Sequence, residues 1–295
     1  MRAAGRTGGS ESGVALITVM FLFAIAATMA IAMLSRQRIE VERTSNLLDQ
    51  TQAYYYALGA EELARQVLAA DALSPPGVTY PLQGWGQLRD GVPIDHGSLV
   101  FSLEDVQARF NLNTLLGTDP APLQRFQYLA AALGLPRELA PSVAAQVRAT
   151  MLYQRPGPQP FRGMDNSTAL RSTAGMTADA YAALLPFVTA LPVAKSQLNV
   201  NTATAMVLKA YVTDRDQYSA LKQALTRNAF VTEQQLRALG INAEGLGTES
   251  RYFRVTALAE VNGRSVRLTS VICRDVDIAG IVYVRVIRRD LDKVF

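Results

Sequence analysis

The hydrophobic and polar pattern of the chain begins with one long apolar run near the amino terminus. Residues 14–34 are apolar apart from Thr18 and Thr28, and no charged residue lies between Glu11 and Arg36. At about 1.5 Å per residue this run extends about 30 Å, the thickness of a bilayer's hydrocarbon core. The run is apolar on every face and is not followed by a small-residue cleavage site. It therefore predicts a membrane-spanning helix rather than a buried core helix or a secretory signal.

A helical pattern continues beyond the apolar run. Apolar positions recur at three- and four-residue spacing as far as about Ala70, and charged residues between 36 and 43 supply i,i+3 and i,i+4 partners. We therefore predict one continuous helix from Val14 to about Ala70, apolar in its first half and amphipathic in its second. An aromatic run in the second half is expected to attach the helix to the folded domain: Tyr54, Tyr55 and Tyr56.

The rest of the chain predicts a sheet interrupted by helices. Residues 74–98 are rich in Gly and Pro and predict a loop. Alternating apolar and polar positions predict strands at 99–105, 252–261, 265–275 and 281–289. Asn262-Gly263 is a hairpin signal, because both turn residues need a positive φ. Helices are predicted between these strands, at 124–133, 140–152, 178–188, 202–211, 219–226 and 232–239. The predicted fold class is α+β: a long amino-terminal helix on an antiparallel sheet, with a large all-helical domain inserted in the sheet region.

Two similar strings lie at separate places in the middle of the chain. Phe110-Asn111-Leu112-Asn113-Thr114 and Leu198-Asn199-Val200-Asn201-Thr202 suggest an internal duplication. We expect their Asn and Thr side chains to cap helices. The alternative is a pair of DNA-binding helical hairpins, which present backbone amides and basic side chains to phosphates. Only Arg137 is basic beside the Gly134 hairpin, so we expect no nucleic-acid partner.

Composition narrows the possible chemistry. The net charge is +4 with a pI of about 9.3, but no run of like charges marks a nucleic-acid surface. Cys273 is the only cysteine, which excludes an intramolecular disulfide and a cysteine-based zinc cluster. His96 is the only histidine and is expected in a loop. Adjacent acids such as Glu61-Glu62 and Glu104-Asp105 are interpreted as solvated surface. The chain has no nucleotide-binding glycine loop and no hydrolase motif, so we expect neither an enzyme nor a cofactor.

The amino-terminal leader carries a family resemblance. Residues 1–13 are short, polar and basic, and they end with Gly13 at the edge of the apolar run. This arrangement resembles the leader of type IV pilin-like proteins. The resemblance implies that a prepilin peptidase cuts between Gly13 and Val14 on the cytoplasmic side and methylates the new amino terminus. Most such proteins have a glutamate at the fifth mature position, where this chain has Thr18. The K-type minor pseudopilins of bacterial type II secretion are the members that lack it.

Later strings resemble the same K-type pseudopilins across nearly the whole chain. They are Asn46-Leu47-Leu48, Gln52-Ala53-Tyr54, Tyr56-Ala57-Leu58-Gly59-Ala60-Glu61, Arg109-Phe110-Asn111-Leu112-Asn113, Leu198-Asn199-Val200-Asn201-Thr202-Ala203 and Ser250-Arg251-Tyr252-Phe253. The implied division is a prepilin leader (1–13), a transmembrane and stalk helix (14–70), a pilin-like domain (71–110 and 246–295) and an inserted helical domain (111–245).

The resemblance also implies a role and a location. A K-type subunit is expected to be anchored once in the bacterial inner membrane, with its amino end cytoplasmic and its large domain periplasmic. Its expected partners are other minor pseudopilins, the major pseudopilin and the prepilin peptidase, and assembly would use Thr18 and the three tyrosines. It is expected to sit at the tip of the pseudopilus, where it starts and caps the fibre. A minor pilin of a type IV pilus and a single-pass anchored periplasmic binding protein are the alternatives.

The resemblance raises the question of calcium, which relatives of this type hold through acidic loops of the helical domain. Calcium is bound by six to eight oxygen atoms, several of them from carboxylates. Asp165 is the single acid between Glu138 and Asp179. We therefore expect no cofactor and assign no calcium ligands.

Overall fold

A single helix, α1, dominates the computed structural model, which describes residues 11–73, 77–88, 91–152, 161 and 163–294. α1 runs without interruption from Glu11 to Ala72, 62 residues. The predicted continuous helix is therefore confirmed, but it begins at Glu11 rather than Val14, so Gly13 is already helical. Residues 1–10 of the predicted leader lie outside the described part of the chain.

Seven further α-helices and five short 3-10 helices follow. The α-helices are α2 (Gly84–Gln87), α3 (Pro120–Ala132), α4 (Leu139–Ala149), α5 (Ala178–Leu184), α6 (Ala205–Tyr211), α7 (Arg215–Arg227) and α8 (Glu233–Ala238). The 3-10 helices are Val106–Ala108, Leu112–Leu116, Thr150–Leu152, Ser167–Ser172 and Leu185–Phe187. These counts refer to the described ranges. Thr232 caps α8 in a reciprocal capping box with Gln235.

Nine strands are present in the described ranges. They are β1 (Gly91–Ile94), β2 (Gly97–Asp105), β3 (Phe110–Asn111), β4 (Val188–Thr189), β5 (Leu198–Asn199), β6 (Leu246–Gly247), β7 (Tyr252–Val261), β8 (Arg264–Val276) and β9 (Val282–Val294). Five of them form an antiparallel sheet in the order β1-β2-β7-β8-β9. A β-bulge interrupts the β8–β9 register at Val271/Ile272. The α+β class and the antiparallel sheet agree with the sequence prediction.

The second half of α1 packs across this sheet through small side chains. Ala53, Ala57, Ala60 and Ala64 are buried, and Leu68 extends the same face. The facing cluster includes Ala257 and Ala259 of β7. Alanine on both surfaces lets the helix and the sheet approach closely. The buried face is thus built mainly from alanines, whereas Leu47 and Leu63 of the same helix are exposed.

Two sequence predictions about local structure were wrong. Residues 74–98 are not one loop, because they contain α2 and β1 and the start of β2. Trp85 of α2 is buried 5.5 Å from the ring of Phe253, and β1 gains backbone hydrogen bonds from β2. The insertion is not all-helical either. β4 and β5 lie inside it, and they pair in parallel with short strands at its two boundaries, β3 and β6.

The insertion consists of two similar units. In each unit an Asn-x-Asn string begins at the last residue of a short strand, helices come next, and a second strand returns to pair with the first. Asn113 binds the N–H and C=O of Met164 through its amide, and Asn201 binds both groups of Val231 in the same way. These matched contacts support the suggested duplication. Asn111 caps the 3-10 helix Leu112–Leu116, as predicted.

The described residues bury two large hydrophobic clusters. One lies inside the insertion, between Phe110 and Leu246. The other joins α1 to the main sheet. We refer to residues 106–251 as the helical region. The division of the chain into domains stays a prediction, and the two clusters are the observation that supports it.

Candidate functional site

The apolar first half of α1 projects from the folded part of the chain. Its side chains from Val14 to Leu34 are not covered by any other element, and Gly13–Ala72 is the one helix of the described residues that is long and apolar enough to cross a membrane. Thr18 donates to the carbonyl of Val14 (2.9 Å), and Thr28 donates to that of Ile25 (2.8 Å). Both hydroxyls are therefore satisfied within the helix, as a lipid environment requires.

The residues predicted for processing lie together in this exposed segment. Gly13 and Val14 are adjacent in the first turns of α1, and Thr18 contacts Val14 through the hydrogen bond described above. A Cβ atom added at Gly13 would meet nothing within 4 Å. The glycine is thus not required by packing within this chain, and its processing role stays a prediction.

The three tyrosines are divided between two surfaces. Tyr54 and Tyr56 are half-buried against the sheet cluster, whereas Tyr55 is exposed. The rings of Tyr54 and Tyr55 are 5.9 Å apart. Two of the tyrosines therefore attach the helix to the sheet, and the third is free to contact another molecule.

A buried carboxylate fixes α1 on the sheet. Glu61 is 3% exposed and accepts hydrogen bonds from Arg289 of β9 at 2.6 and 2.9 Å and from the Ser270 hydroxyl of β8. Burial raises the pKa of Glu61, but the hydrogen bonds and the positive charge outweigh it, so its pKa is lowered. One turn further on, Arg65 donates to the carbonyl of Val284 at 2.8 and 3.0 Å.

The opposite end of the sheet is also tied to α1. Arg264 donates to the Asn46 side chain (3.0 Å), and Asn262 donates to Asp49 (2.9 Å). These two bonds come from the β7–β8 hairpin. Asn46 and Asp49 lie where α1 leaves the sheet. Polar contacts therefore hold α1 near both ends of its buried face.

A second buried carboxylate joins the sheet to the helical region. Asp105, the last residue of β2, is 2% exposed. It accepts bonds from the backbone of Gln107 (2.8 Å) and from three side chains, those of Asn199 (3.0 Å), Thr202 (2.5 Å) and Ser250 (2.6 Å). Burial raises the pKa of Asp105 despite these four donors. Asn199 and Thr202 belong to the second Asn-x-Asn string, so this carboxylate fixes how the helical region sits on the sheet.

Arg274 of β8 extends the same polar network to the end of α1. Its guanidinium donates to the carbonyls of Leu68 (3.3 Å) and Ser250 (2.9 Å) and to the hydroxyl of Thr79 (3.0 Å). It also stacks on the ring of Phe253 at 5.0 Å. Burial lowers the pKa of Arg274, and the nearby Asp71, Asp105 and Glu249 oppose this effect. Helix, sheet and helical region therefore meet at one buried cation and one buried carboxylate.

The sequence interpretation of two acids was wrong. Glu61 and Asp105 are buried links rather than solvated surface. A signal for both was present in the pattern. Glu61 falls on the alanine face of α1, beside Ala57 and Ala64 at helical spacing. Asp105 continues the inward series Leu99, Phe101 and Leu103 at a spacing of two.

The described residues show no cluster of the acidic ligands that calcium prefers. No group of three or more His, Cys, Asp or Glu side chains comes together within the described ranges. Between Glu138 and Asp179 the chain supplies one carboxylate, that of Asp165. One carboxylate is fewer than the several that a calcium shell draws on, and the absence of a cofactor stays a prediction.

Comparison with known proteins gives the same family throughout. The family described as type II secretion system protein K matches residues 108–193 through its first-domain model. Type II secretion system protein K of Pectobacterium carotovorum subsp. carotovorum is 32% identical, over 78% of this chain and 80% of that protein. The Pseudomonas aeruginosa protein of the same name is 30% identical, over 95% of this chain and 93% of that protein. A crystal structure of the GspK–GspI–GspJ complex from enterotoxigenic Escherichia coli matches 85% of this chain and 100% of that chain, with a TM-score of 0.67 and 23% identity. This likeness confirms the pilin-like fold.

Proposed function

Because this chain belongs to the type II secretion system protein K family and is thereby a minor pseudopilin, we propose that it starts and caps the periplasmic pseudopilus at its tip. The role is structural and involves no catalytic step. The observation that carries the proposal is the position of the helical region relative to the exposed apolar half of α1.

The helical region occupies the end of the sheet farthest from the apolar segment. It leaves the sheet after Asp105 and returns at Tyr252, and Asp105 lies beside Phe253 in the β2–β7 register. The contact of Arg274 with Leu68 puts this end of the sheet next to the end of α1. A subunit added beyond α1 would therefore meet the helical region. This bulk is what makes the chain suited to the first position of a fibre and unsuited to an internal one.

The membrane anchor and the leader complete the proposal. We propose that α1 crosses the inner membrane once, with Val14 on the cytoplasmic side and the sheet and helical region in the periplasm. The prepilin peptidase then acts at Gly13, and other minor pseudopilins and the major pseudopilin associate along α1. Most pilin-like proteins have a glutamate where this chain has Thr18. Its membrane segment therefore has no carboxylate that could neutralise the amino terminus of a neighbouring subunit. That property is appropriate for a subunit with no neighbour above it.

The test removes the helical region and keeps the sheet. Asp105 and Phe253 are register partners, so an Asn-Gly turn can join them when residues 106–252 are deleted. We expect the shortened protein to remain in the membrane and to bind other minor pseudopilins. Pseudopili should then start less often or lose their length control when observed by electron microscopy. If pseudopili start as often and reach the same length with the shortened protein, the proposal that the helical region caps the fibre is wrong.

A further inference from the structure

The turn between β7 and β8 contains a chemically reactive pair of residues that the assembly role does not use. Asn262 and Gly263 form the only Asn-Gly pair in the sequence. Both have a positive φ, 47° and 76°, and both are exposed to solvent. Their two-residue turn closes the pairing of Val261 with Arg264. Glycine has no Cβ atom, so its backbone nitrogen is the least shielded that can follow an asparagine.

An Asn-Gly pair can lose ammonia without an enzyme. The Gly263 nitrogen attacks Cγ of Asn262, the bond from Cγ to Nδ2 breaks, and the proton of the glycine nitrogen leaves with the ammonia. Water then opens the resulting succinimide ring at one of its two carbonyls, which gives aspartate or isoaspartate. Either product replaces a neutral amide, which donates hydrogen bonds, by a carboxylate that only accepts them.

Asp49 of α1 contacts the group that would leave. Asn262 Nδ2 donates a hydrogen bond to Asp49 Oδ1 at 2.9 Å, and Asp49 is half-buried. This bond restricts the rotation of the side chain on which the attack depends. The charge of Asp49 also opposes the negative charge that forms on the side-chain oxygen of Asn262 during the attack. Both effects slow the loss of ammonia.

Asn262 also connects two hairpins to the helix. Its backbone N–H donates to the carbonyl of His96 in the β1–β2 turn at 3.0 Å. The two hairpins approach closely here, because a Cβ atom added at Gly97 would lie 1.7 Å from the carbonyl oxygen of Glu260. The side chain of Asn262 then links both hairpins to Asp49. This link lies at the end of the helix–sheet contact nearest the apolar segment of α1.

Deamidation would break this link. A carboxylate at position 262 would face that of Asp49 with no proton donor between them, and like charges this close repel each other. Isoaspartate would also add a carbon atom to the backbone of a turn that depends on two positive φ angles. α1 would keep its pairs with Arg264 and Arg289 but would lose its contact through Asp49.

We propose that Asn262 is a site of spontaneous deamidation, that Asp49 slows the reaction, and that conversion releases the β7–β8 turn from Asp49. Water is the only co-reactant. The loss of ammonia makes the change irreversible, so the converted fraction rises with the age of the protein.

Peptide mass analysis of the detergent-solubilised full chain tests the site and the role of Asp49. After incubation at mildly alkaline pH, peptides that contain position 262 should show the mass increase from replacing an amide NH2 by OH. Asp49→Ala should speed this conversion by about fivefold or more, the factor that the loss of one net hydrogen bond gives. Asn46→Ala should convert at the wild-type rate, because it removes the neighbouring bond from Arg264 and leaves Asp49 in place.

Two outcomes of this measurement would overturn the proposal. One is no conversion at position 262 in either the wild type or Asp49→Ala, or an equal rate in both. The other is an equal acceleration by Asn46→Ala, which would show that a loosened hairpin, and not the carboxylate of Asp49, controls the rate.

A pair of substitutions tests what conversion does to the fold. Asn262→Asp introduces the product and should lower the melting temperature. Adding Asp49→Asn exchanges the two groups, so that the amide introduced at position 49 donates to the carboxylate at position 262 and restores most of the loss. This rescue separates the contact from any effect of changing the turn residue alone. If Asn262→Asp melts at the wild-type temperature, or if the second substitution does not rescue it, the proposed release is wrong.

Discussion

Glu61 of α1 and Arg289 of β9 form a two-bond ion pair within a contact that is otherwise built from alanines. Arg289 Nη2 lies 2.6 Å from Glu61 Oε1, and Arg289 Nε lies 2.9 Å from Oε2. Alanine faces are nearly featureless and would allow a helix to slide along a sheet. One buried carboxylate opposite one arginine specifies a single register, because any shift would leave the carboxylate buried without its partner.

Replacing Glu61 should therefore destabilise the chain much more than replacing its neighbour. We expect Glu61→Ala to lower the free energy of unfolding by about 2–3 kcal/mol, because it removes a buried carboxylate together with the hydrogen bonds that it accepts from Arg289 and Ser270. Glu62→Ala is the matched control, since Glu62 pairs with Arg65 at the surface and should contribute about 0.5 kcal/mol or less. Urea unfolding of the detergent-solubilised protein measures both values. Equal losses would show that the buried pair does not fix the helix.

The same pair should make stability depend on pH in one direction. The folded pKa of Glu61 is lowered below its ordinary 4.5, so the charged form is favoured by folding. The stabilisation is then fully present above the unfolded pKa and is lost as the pH falls through the folded pKa. The difference in melting temperature between wild type and Glu61→Gln should be constant above about pH 5 and should shrink below pH 4.5. A difference that grows on acidification would contradict this assignment.

Removing Asp105 should loosen the helical region from the sheet. Asp105→Ala leaves the amide of Asn199 and the hydroxyls of Thr202 and Ser250 buried without their acceptor, which should cost about 3 kcal/mol or more. Limited proteolysis should then cut the junction near residue 250 faster than in the wild type. Asp119→Ala is the control, because Asp119 is an exposed cap of α3 and its loss costs about 1 kcal/mol. A junction that remains resistant would show that other contacts hold the helical region.

Enlarging the alanine face should separate the helix from the sheet. Ala57 is completely buried, so Ala57→Phe should reduce stability by about 1–3 kcal/mol through overpacking. Tyr55→Phe, on the exposed face two residues away, should change stability by less than about 0.5 kcal/mol. Thermal unfolding followed by circular dichroism compares the two variants. An unchanged Ala57→Phe variant would mean that the helix does not pack closely at this position.

Gly13 provides a test of leader processing that is independent of folding. With a prepilin peptidase present, the wild-type chain should lose residues 1–13 and carry a methylated Val14, as shown by intact mass and amino-terminal sequencing. Gly13→Val should remain uncleaved but inserted, because a side chain at this position meets no other atoms. Gly59→Ala is the control, since it too adds a side chain in open space on α1 and should be cleaved normally. A wild-type chain that is uncut, or cut beyond Leu34, would contradict the assignment of residues 1–13 as a prepilin leader.

The sequence by itself determined the elements that depend on local periodicity. A run of apolar residues on every face of a helix cannot be buried in a small domain, so residues 14–34 identified the anchor without any tertiary information. Strict alternation and the Asn262-Gly263 turn located β7 and β8 to within a residue or two. In both cases the pattern that predicts the element lies in residues close together in sequence, and the structure agrees with that prediction.

Only the tertiary structure decided how those elements meet. The alanine spacing of α1 indicates that Glu61 is buried, but no local pattern identifies its partner, Arg289, which is 228 positions away. α2 and β1 were missed because burial of Trp85 and pairing with β2 outweigh the local preference of Gly and Pro for loops. The short parallel strands and the Asp105 junction both depend on which surfaces come together. Local sequence sets the conformation of an element, whereas burial and hydrogen bonding between distant residues set its neighbours.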